Sequence, residues 1–335
     1  SWLTCEETVN GPDVGNDFQN GDNSKLKQKH GYVFEVLASW DAGEHQKPVP
    51  IRSAGRFAHE AVDIDPGTGI LYMTEDNFEF PSGFYRYIPP SNPTVTGRLE
   101  DGGRLQMLAV VGEPNAHLEA RQPRRATYRV EWVDIDDPDP MFPYTPGQVA
   151  ETTNDEALVY VGDQGRAQGA ALFSRLEGQV YDDNVVYFTS TQGGGPQEDD
   201  SDDDNANGFG RGNGQVWAYH CRSQTLQLIF QAPVDPVEAN LRFDFPDNIT
   251  TSARGTLVVC EDSTVDNYIR GLSRGGQLWD IALNRLVSQL TGLPRFGDEF
   301  AGSTFSPDGH TLFVNIQASR GLTFAIWGPW ERIGV

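Results

Sequence analysis

The sequence lacks any apolar run of about 18 residues, the minimum that a membrane-spanning helix needs. We therefore expect no membrane span. Positive charge is also scarce, because 25 Lys and Arg residues stand against 48 Asp and Glu residues and the formal net charge at pH 7 is −23. A protein with this charge repels nucleic acids and anionic lipids and attracts cations. Nucleic acid is therefore not an expected partner.

Cysteine is the next scarce residue. The three cysteines, Cys5, Cys221 and Cys260, allow at most one disulfide and exclude a disulfide-based scaffold. They do not indicate a cellular compartment. The sequence also opens on an apolar segment without an initiator Met, a basic region or a signal-type apolar segment. We expect that an N-terminal part of the protein precedes Ser1.

Turn-forming residues are abundant, with 36 Gly and 21 Pro, and 11% of the residues are aromatic. This composition is typical of many short strands joined by tight turns. Short helices are indicated only at 163–178 and 235–241. The predicted strands are 2–8, 30–37, 61–65, 70–74, 83–88, 105–111, 129–133, 157–161, 185–190, 214–220, 226–231, 255–259, 276–283, 286–290, 301–306 and 311–316. The sequence thus predicts an all-β fold, either a propeller or a sandwich.

The segment 55–87 contains the clearest local pattern. Two alternating segments flank the turn Asp65-Pro-Gly-Thr-Gly69, which predicts a β-hairpin. Glu60 lies at the entry of this hairpin, and Glu75 and Asp76 follow its second strand. These carboxylates either protect the edge of a sheet from pairing or share a cation at one rim.

A loose repeat favours the propeller. The segments DPGTGILYMTED, SARGTLVVCED and SPDGHTLFVNIQ each join a glycine-containing turn to an apolar strand. Propeller blades show this pattern, and equivalent strand ends converge on the central funnel. We therefore expect one propeller domain over 1–335, N-terminally incomplete, with an acidic and Gly-rich loop insertion at 192–213.

Convergence of strand ends predicts a metal cluster, because carboxylate oxygens suit calcium or ferric iron and a thiolate favours a transition metal. The candidate residues for this funnel are Cys5, Glu6, Glu7, Glu60, Glu75, Asp76, Glu177, Glu261, Asp262 and Glu299.

Motifs along nearly the whole chain resemble those of the PhoX-type alkaline phosphatases, in the order of that family. The matching segments are WLTCEET, HGYVFEV, RFAHEAVDIDP, YMTEDN, GFYRY, RLEGQVYDDNVVYFTST, GQVWAY, PDNI, CED and EFAGSTFSPDGHTLFVNIQ. The resemblance implies a six-bladed β-propeller that hydrolyses phosphate monoesters with ferric iron (Fe3+) and calcium (Ca2+). It also implies a periplasmic or extracellular location and a small phosphate ester as substrate. We further expect a monomer.

The resemblance also assigns residues. Cys5 would bind iron, Arg175 would bind phosphate, and Arg175 and Glu177 would act in catalysis. The implied metal ligands are Cys5, Glu6, Glu60, Glu75, Glu177, Glu261 and Glu299. The sequence departs from the family at Ala318-Ser319-Arg320, where a segment like His-Pro-Gly is usual, and family members are longer.

Several alternatives stay open. One alternative to a phosphatase is a non-catalytic secreted propeller that keeps calcium and serves as a binding or structural protein. The other is a calcium-dependent lactonase, which would need a single-ion site without cysteine. For single residues, Cys5 and His59 have structural interpretations, and Glu177 before Gly178 could open a turn. The acidic run 198–204 is interpreted as a solvated loop or an outer calcium site. Arg121, Arg124 and Arg125 are expected at the surface.

Overall fold

The computed structural model describes residues 1–17, 21–38, 49–90, 97–198, 208–234, 243–318 and 320–335. Most regular structure in these residues is β-strand, which confirms the all-β prediction, and the sheets are propeller-like. The chain forms two compact units, Ser1–His117 with Arg129–Leu176 and Leu118–Tyr128 with Glu177–Val335. The number of blades, the single domain and the additional N-terminal part stay predictions. None of the described helices has the length and apolar character of a membrane span.

Among the described residues, all or most of seven strands and one α-helix belong to the first unit. They are β1 (Trp2–Cys5), β2 (Val33–Val36), β3 (His59–Ile64), β4 (Leu71–Glu75), β5 (Phe84–Ile88), β6 (Arg104–Val110), β7 (Thr127–Asp134) and α1 (Asn154–Arg166). β1 pairs with β2, and β3 to β7 form an antiparallel sheet in which each strand pairs with the next. The predicted hairpin is β3–β4. Its turn is held by Asp65, whose carboxylate accepts hydrogen bonds from the Gly67 amide and the Thr68 hydroxyl.

The helix α1 contradicts the strand predicted at 157–161. That prediction followed the apolar and β-branched segment Ala157-Leu-Val-Tyr-Val161. The local capping signal is stronger: the Thr153 side chain accepts from the Glu156 amide, and the Glu156 carboxylate accepts from the Thr153 amide. Near the helix end, a Cβ at Gly165 would lie 2.3 Å from the Met107 sulfur, so glycine allows close packing on β6. The helix predicted at 163–178 was wrong beyond Arg166, because a strand begins at Leu176.

In the part of the chain that the structure describes, all or most of eleven strands and a short terminal helix belong to the second unit. They are β8 (Leu176–Asp182), β9 (Val185–Ser190), β10 (Gln215–His220), β11 (Thr225–Gln231), β12 (Pro246–Thr251), β13 (Leu257–Glu261), β14 (Tyr268–Leu272), β15 (Leu278–Leu283), β16 (Phe300–Phe305), β17 (Thr311–Ile316), β18 (Leu322–Trp327) and α2 (Trp330–Ile333). Strands β8 to β11, β12 to β15 and β16 to β18 are each arranged in chain order. The three repeated segments occupy equivalent positions, because each one joins the first two strands of a sheet, at β3–β4, β12–β13 and β16–β17.

Sequence patterns missed four strands, β8, β12, β14 and β18. In β14 the segment Arg270-Gly271 interrupts the apolar pattern, and Gly271 is required there because a Cβ would lie 2.3 Å from the Trp279 ring. The strand predicted at 286–290 was wrong, since only an isolated bridge joins Val287 to Pro294. The helix predicted at 235–241 lies outside the described residues.

Apolar packing and one buried ion pair stabilise the first unit. Its core contains Leu71, Met73 and Met107, which are fully buried. Beside it, Arg56 is 1% exposed and forms two hydrogen bonds with Asp13, at 2.7 and 2.9 Å. The same guanidinium donates to the carbonyl oxygens of Val9 and His30. Arg56 therefore joins three separate segments of the N-terminal region.

We expect Asp13→Asn to destabilise the protein by about 3–5 kcal/mol, because it leaves the Arg56 charge buried without its counter-ion. Urea unfolding would measure this difference. Asp101→Asn is the control, because its partner Arg98 is exposed and surface pairs contribute below about 1 kcal/mol. Equal effects of the two substitutions would contradict the importance of the Arg56 network.

Candidate active site

Cys5 and Glu60 lie close together in the first unit. Cys5 ends β1, Glu60 is the second residue of β3, and both side chains are half-buried. Burial and, to a smaller extent, the negative charge of Glu60 raise the pKa of the Cys5 thiol to about 12. The thiol is therefore protonated at neutral pH unless a cation stabilises the thiolate. This behaviour fits a metal ligand as well as a structural cysteine.

Glu6 follows Cys5 and anchors the backbone before β2. Its carboxylate lies 2.8 Å from the His30 ring nitrogen Nδ1 and accepts hydrogen bonds from the amides of Gly31 and Tyr32. Both oxygens are thus engaged by protein groups. A cation at Glu6 would compete with these contacts.

Glu75 ends β4 and is almost completely buried. Its carboxylate accepts a hydrogen bond of 2.8 Å from the Gly83 amide and one of 2.9 Å from the Tyr85 hydroxyl. Burial raises the pKa of Glu75 to about 7, against the opposing effects of Arg166 and of these donors. Glu75 therefore titrates near neutral pH, where an exposed glutamate is already ionised.

Arg175 and Asp76 form a bidentate ion pair in the first unit. The Nε and Nη2 atoms of Arg175 donate to the two carboxylate oxygens of Asp76, at 3.1 and 2.9 Å. The guanidinium carbon also lies 5.6 Å from the centre of the exposed Phe78 ring. Arg175 has a φ of 40°, in the left-handed region that residues with a side chain rarely adopt.

Arg175, Asp76 and Phe78 line a cavity of about 720 Å³ within the first unit. Acidic residues are numerous along its wall and include Glu7, Glu79 and Asp155. Arg175 is the only basic residue among the described lining residues. Anion binding here would require positive charge beyond that of Arg175.

In the second unit, Glu177 and Asp247 bring two carboxylates together. Each offers an oxygen, and these two oxygens lie within 4.8 Å of each other. Glu177 is buried within β8, so the interpretation of Glu177 as a turn residue was wrong. Gly178 permits the close approach of β12, because a Cβ there would lie 2.6 Å from the Asn248 Cα. Such a pair favours a shared proton or a cation.

Glu261 and Glu299 have different surroundings in this unit. Glu261 is buried and accepts a hydrogen bond of 2.8 Å from the Nε of Arg270. Burial raises the pKa of Glu261 to about 7, although Arg270 opposes the shift. Glu299 is half-buried directly before β16, and its backbone carbonyl accepts from the Gln317 amide.

Taken separately, neither unit brings three His, Cys, Asp or Glu ligand atoms within 4.8 Å of one another among the described residues. The pairs that the structure does bring together are Cys5 with Glu60 and Glu177 with Asp247. The complete ligand set therefore stays a prediction. Asp247 was not among the predicted residues, although the segment PDNI that contains it was noted.

Two further expectations concern His59 and the acidic run. His59 is buried, its Nε2 lies 3.1 Å from the Gly55 carbonyl oxygen, and burial lowers its pKa to about 4, as the structural interpretation requires. Glu198 is buried and forms a 2.9 Å ion pair with Arg211, so it is not part of a solvated loop. Residues 199–207 of the predicted insertion lie outside the described residues.

Comparison with known proteins adds family information. A search of curated proteins gives no match. Among solved structures, the Pseudomonas fluorescens PhoX complex with vanadate, a transition state analogue, aligns with a TM-score of 0.62 and 18% identity over 94% of this chain. The chain spans 62% of the length of that protein, and the likeness concerns the fold. The Pseudomonas aeruginosa periplasmic gluconolactonase PpgL aligns with a TM-score of 0.39 and 12% identity, over 97% of this chain and 78% of that one.

The family match covers most of the sequence. The sequence model described as alkaline phosphatase PhoX matches residues 1–319 of the 335. This range contains each of the predicted site residues, from Cys5 to Glu299. The chain belongs to the PhoX alkaline phosphatase family.

Proposed function

We propose that the protein is a metal-dependent phosphatase that hydrolyses small phosphate monoesters. The main support is the Arg175–Asp76 ion pair at a cavity, in a chain whose family is that of alkaline phosphatases. We also infer from family membership that the protein acts in the periplasm or outside the cell.

Arg175 would bind the phosphate group. Asp76 takes its Nε–Nη2 edge and fixes the guanidinium plane, so that phosphate would approach the other edge of the guanidinium. A fixed guanidinium loses little conformational entropy when it binds. Asp76 therefore positions Arg175, and Phe78 covers one side of it.

Iron and calcium fit the donors that the two units offer. Cys5 with Glu60 combines a thiol with a carboxylate, which suits iron, and Glu177 with Asp247 offers hard oxygens. When bound, these cations would neutralise the phosphate dianion and act as Lewis acids in its hydrolysis. The acidic cavity wall would otherwise repel the substrate. In this proposal, Glu177 contributes to catalysis by holding one of these cations.

The remaining predicted ligands are Glu6, Glu75, Glu261 and Glu299. The first three already accept hydrogen bonds from protein donors, so a cation at any of them would replace such a contact. We retain them as proposed ligands on the family motifs. A non-catalytic calcium-binding role is the second candidate, because the Arg175–Asp76 pair would also serve a purely structural purpose.

Arg175→Ala should raise the KM for p-nitrophenyl phosphate at least about tenfold, because one charge-assisted contact to phosphate is lost. Asp76→Asn should raise it less, since the guanidinium remains but is less well oriented. Steady-state kinetics would measure both. Arg98→Ala, at an exposed arginine of the same unit, is the control. A KM unchanged in Arg175→Ala would assign Arg175 a structural role.

Cys5→Ser should remove iron and lower phosphatase turnover by about 10- to 100-fold or more, because a hydroxyl is a poor substitute for a thiolate ligand. Elemental analysis of the purified protein and the p-nitrophenyl phosphate assay would test this. Cys221→Ser changes a half-buried thiol elsewhere and should keep both the iron and the activity. Full iron content in Cys5→Ser would exclude Cys5 as a ligand.

Chelation of calcium should lower the Tm, because an ion that binds only the folded state stabilises that state by mass action. Thermal unfolding with and without EGTA would show the change. Re-addition of calcium should restore the original Tm and the activity together. A Tm that is indifferent to the chelator would argue against bound calcium.

A further inference from the structure

A second cavity lies within the second unit and differs in charge from the first. It has a volume of about 940 Å³, within the size range of small-molecule sites. Arg121, Arg124 and Arg125 line it, and all three residues are exposed, as the sequence predicted. No Asp or Glu is among its described lining residues. In a chain with a net charge of −23, this wall is cationic.

These three arginines also differ from six of the other nine described arginines of the same unit, which pair with carboxylates. The paired ones are Arg211, Arg254, Arg270, Arg274, Arg285 and Arg295. In the described part of the chain, no carboxylate lies within ion-pair distance of Arg121, Arg124 or Arg125. Among the described residues, no neighbouring side chain compensates their charges.

The backbone that carries the arginines is anchored. The Arg121 amide donates to the Gly195 carbonyl at 2.7 Å, and the Gln122 amide donates to the Gln231 side chain at 2.9 Å. Arg125 donates from Nη2 to the Gly275 carbonyl at 2.9 Å, which holds its guanidinium at the cavity wall. This anchoring lowers the conformational entropy that the segment would lose on binding.

The rest of the wall is partly apolar. Phe230 and Leu278 are half-buried lining residues, and Pro233 lies beside them. Guanidinium groups bind phosphate oxygens with two parallel hydrogen bonds, and an apolar surface suits an organic group. The repulsion by distant carboxylates is screened, since the Debye length is about 10 Å at 0.1 M salt. Charge in the immediate neighbourhood therefore decides which ion binds.

We propose that this cavity binds an organic phosphate, with its phosphate groups on Arg121, Arg124 and Arg125 and its apolar part against Phe230 and Leu278. The site is independent of Arg175 and of the proposed phosphatase activity. The proposed role of this cavity is binding and not catalysis, because the contacts described include neither a nucleophile nor a general base.

Calorimetric titration of the full chain with adenosine 5′-(α,β-methylene)diphosphate would test this, because that probe resists hydrolysis between its two phosphorus atoms. We expect the Arg121→Gln/Arg124→Gln double variant to bind it at least about tenfold more weakly, because two charge-assisted contacts are lost. Adenosine, which carries no phosphate, should not bind measurably. Added NaCl should weaken the wild-type affinity.

The control is Arg222→Gln, which removes the same charge from an exposed arginine that does not line the cavity. It should leave the affinity within about twofold of wild type. Repeating the titrations in an Arg175→Ala background separates this site from binding near Arg175. Equal affinities of the double variant and the wild type in that background would overturn the proposal. So would a loss in Arg222→Gln as large as that in the double variant, or binding of adenosine as tight as that of the probe.

Discussion

The burial of carboxylates is the constraint that shapes both units. An ionised acid in a low-dielectric interior is stable only with a compensating charge or several hydrogen-bond donors. Asp13 has Arg56, Glu261 has Arg270, and Glu75 has the donors Gly83 and Tyr85. These contacts fix the sheet ends and the loops that lie beside them. Buried acids such as Asp13 and Glu261 therefore require a buried arginine beside them.

The proposed metal ligands differ in how their charges are compensated. Glu6 and Glu261 accept hydrogen bonds from several protein groups. In the two proposed ligand pairs, the Cys5 thiol lies near the Glu60 carboxylate, and carboxylate oxygens of Glu177 and Asp247 lie within 4.8 Å of each other. Like-charged neighbours raise each other's pKa and are stabilised by cations. The functional interpretation of these two pairs therefore rests on charge, and it does not need every acid of the sequence to be a ligand.

The sequence predicted the parts of the fold that depend on short-range patterns. The β3–β4 hairpin followed from alternation around Asp65 and Gly69, and the repeated turn-and-strand segments occupy equivalent positions in three sheets. The helix α1 was missed because the apolar segment that starts at Ala157 outweighed the capping box of Thr153, although both signals are local. Strand β14 was missed because Gly271 interrupts its apolar pattern, and the requirement for glycine comes from Trp279 on the paired strand β15.

The candidate site was less predictable, since its contacts join distant residues. Resemblance to a family identified Arg175, but no spacing rule could indicate that Asp76, 99 residues away, holds its guanidinium. The backbone supports a specific role for this arginine. A side chain at a φ of 40° costs about 1–2 kcal/mol relative to an ordinary conformation, and glycine would avoid that cost. Arg175 lies directly before β8, and with this backbone its guanidinium pairs with Asp76 at the cavity. The proposed role of Arg175 in phosphate binding accounts for a strained residue that keeps a charged side chain at this cavity.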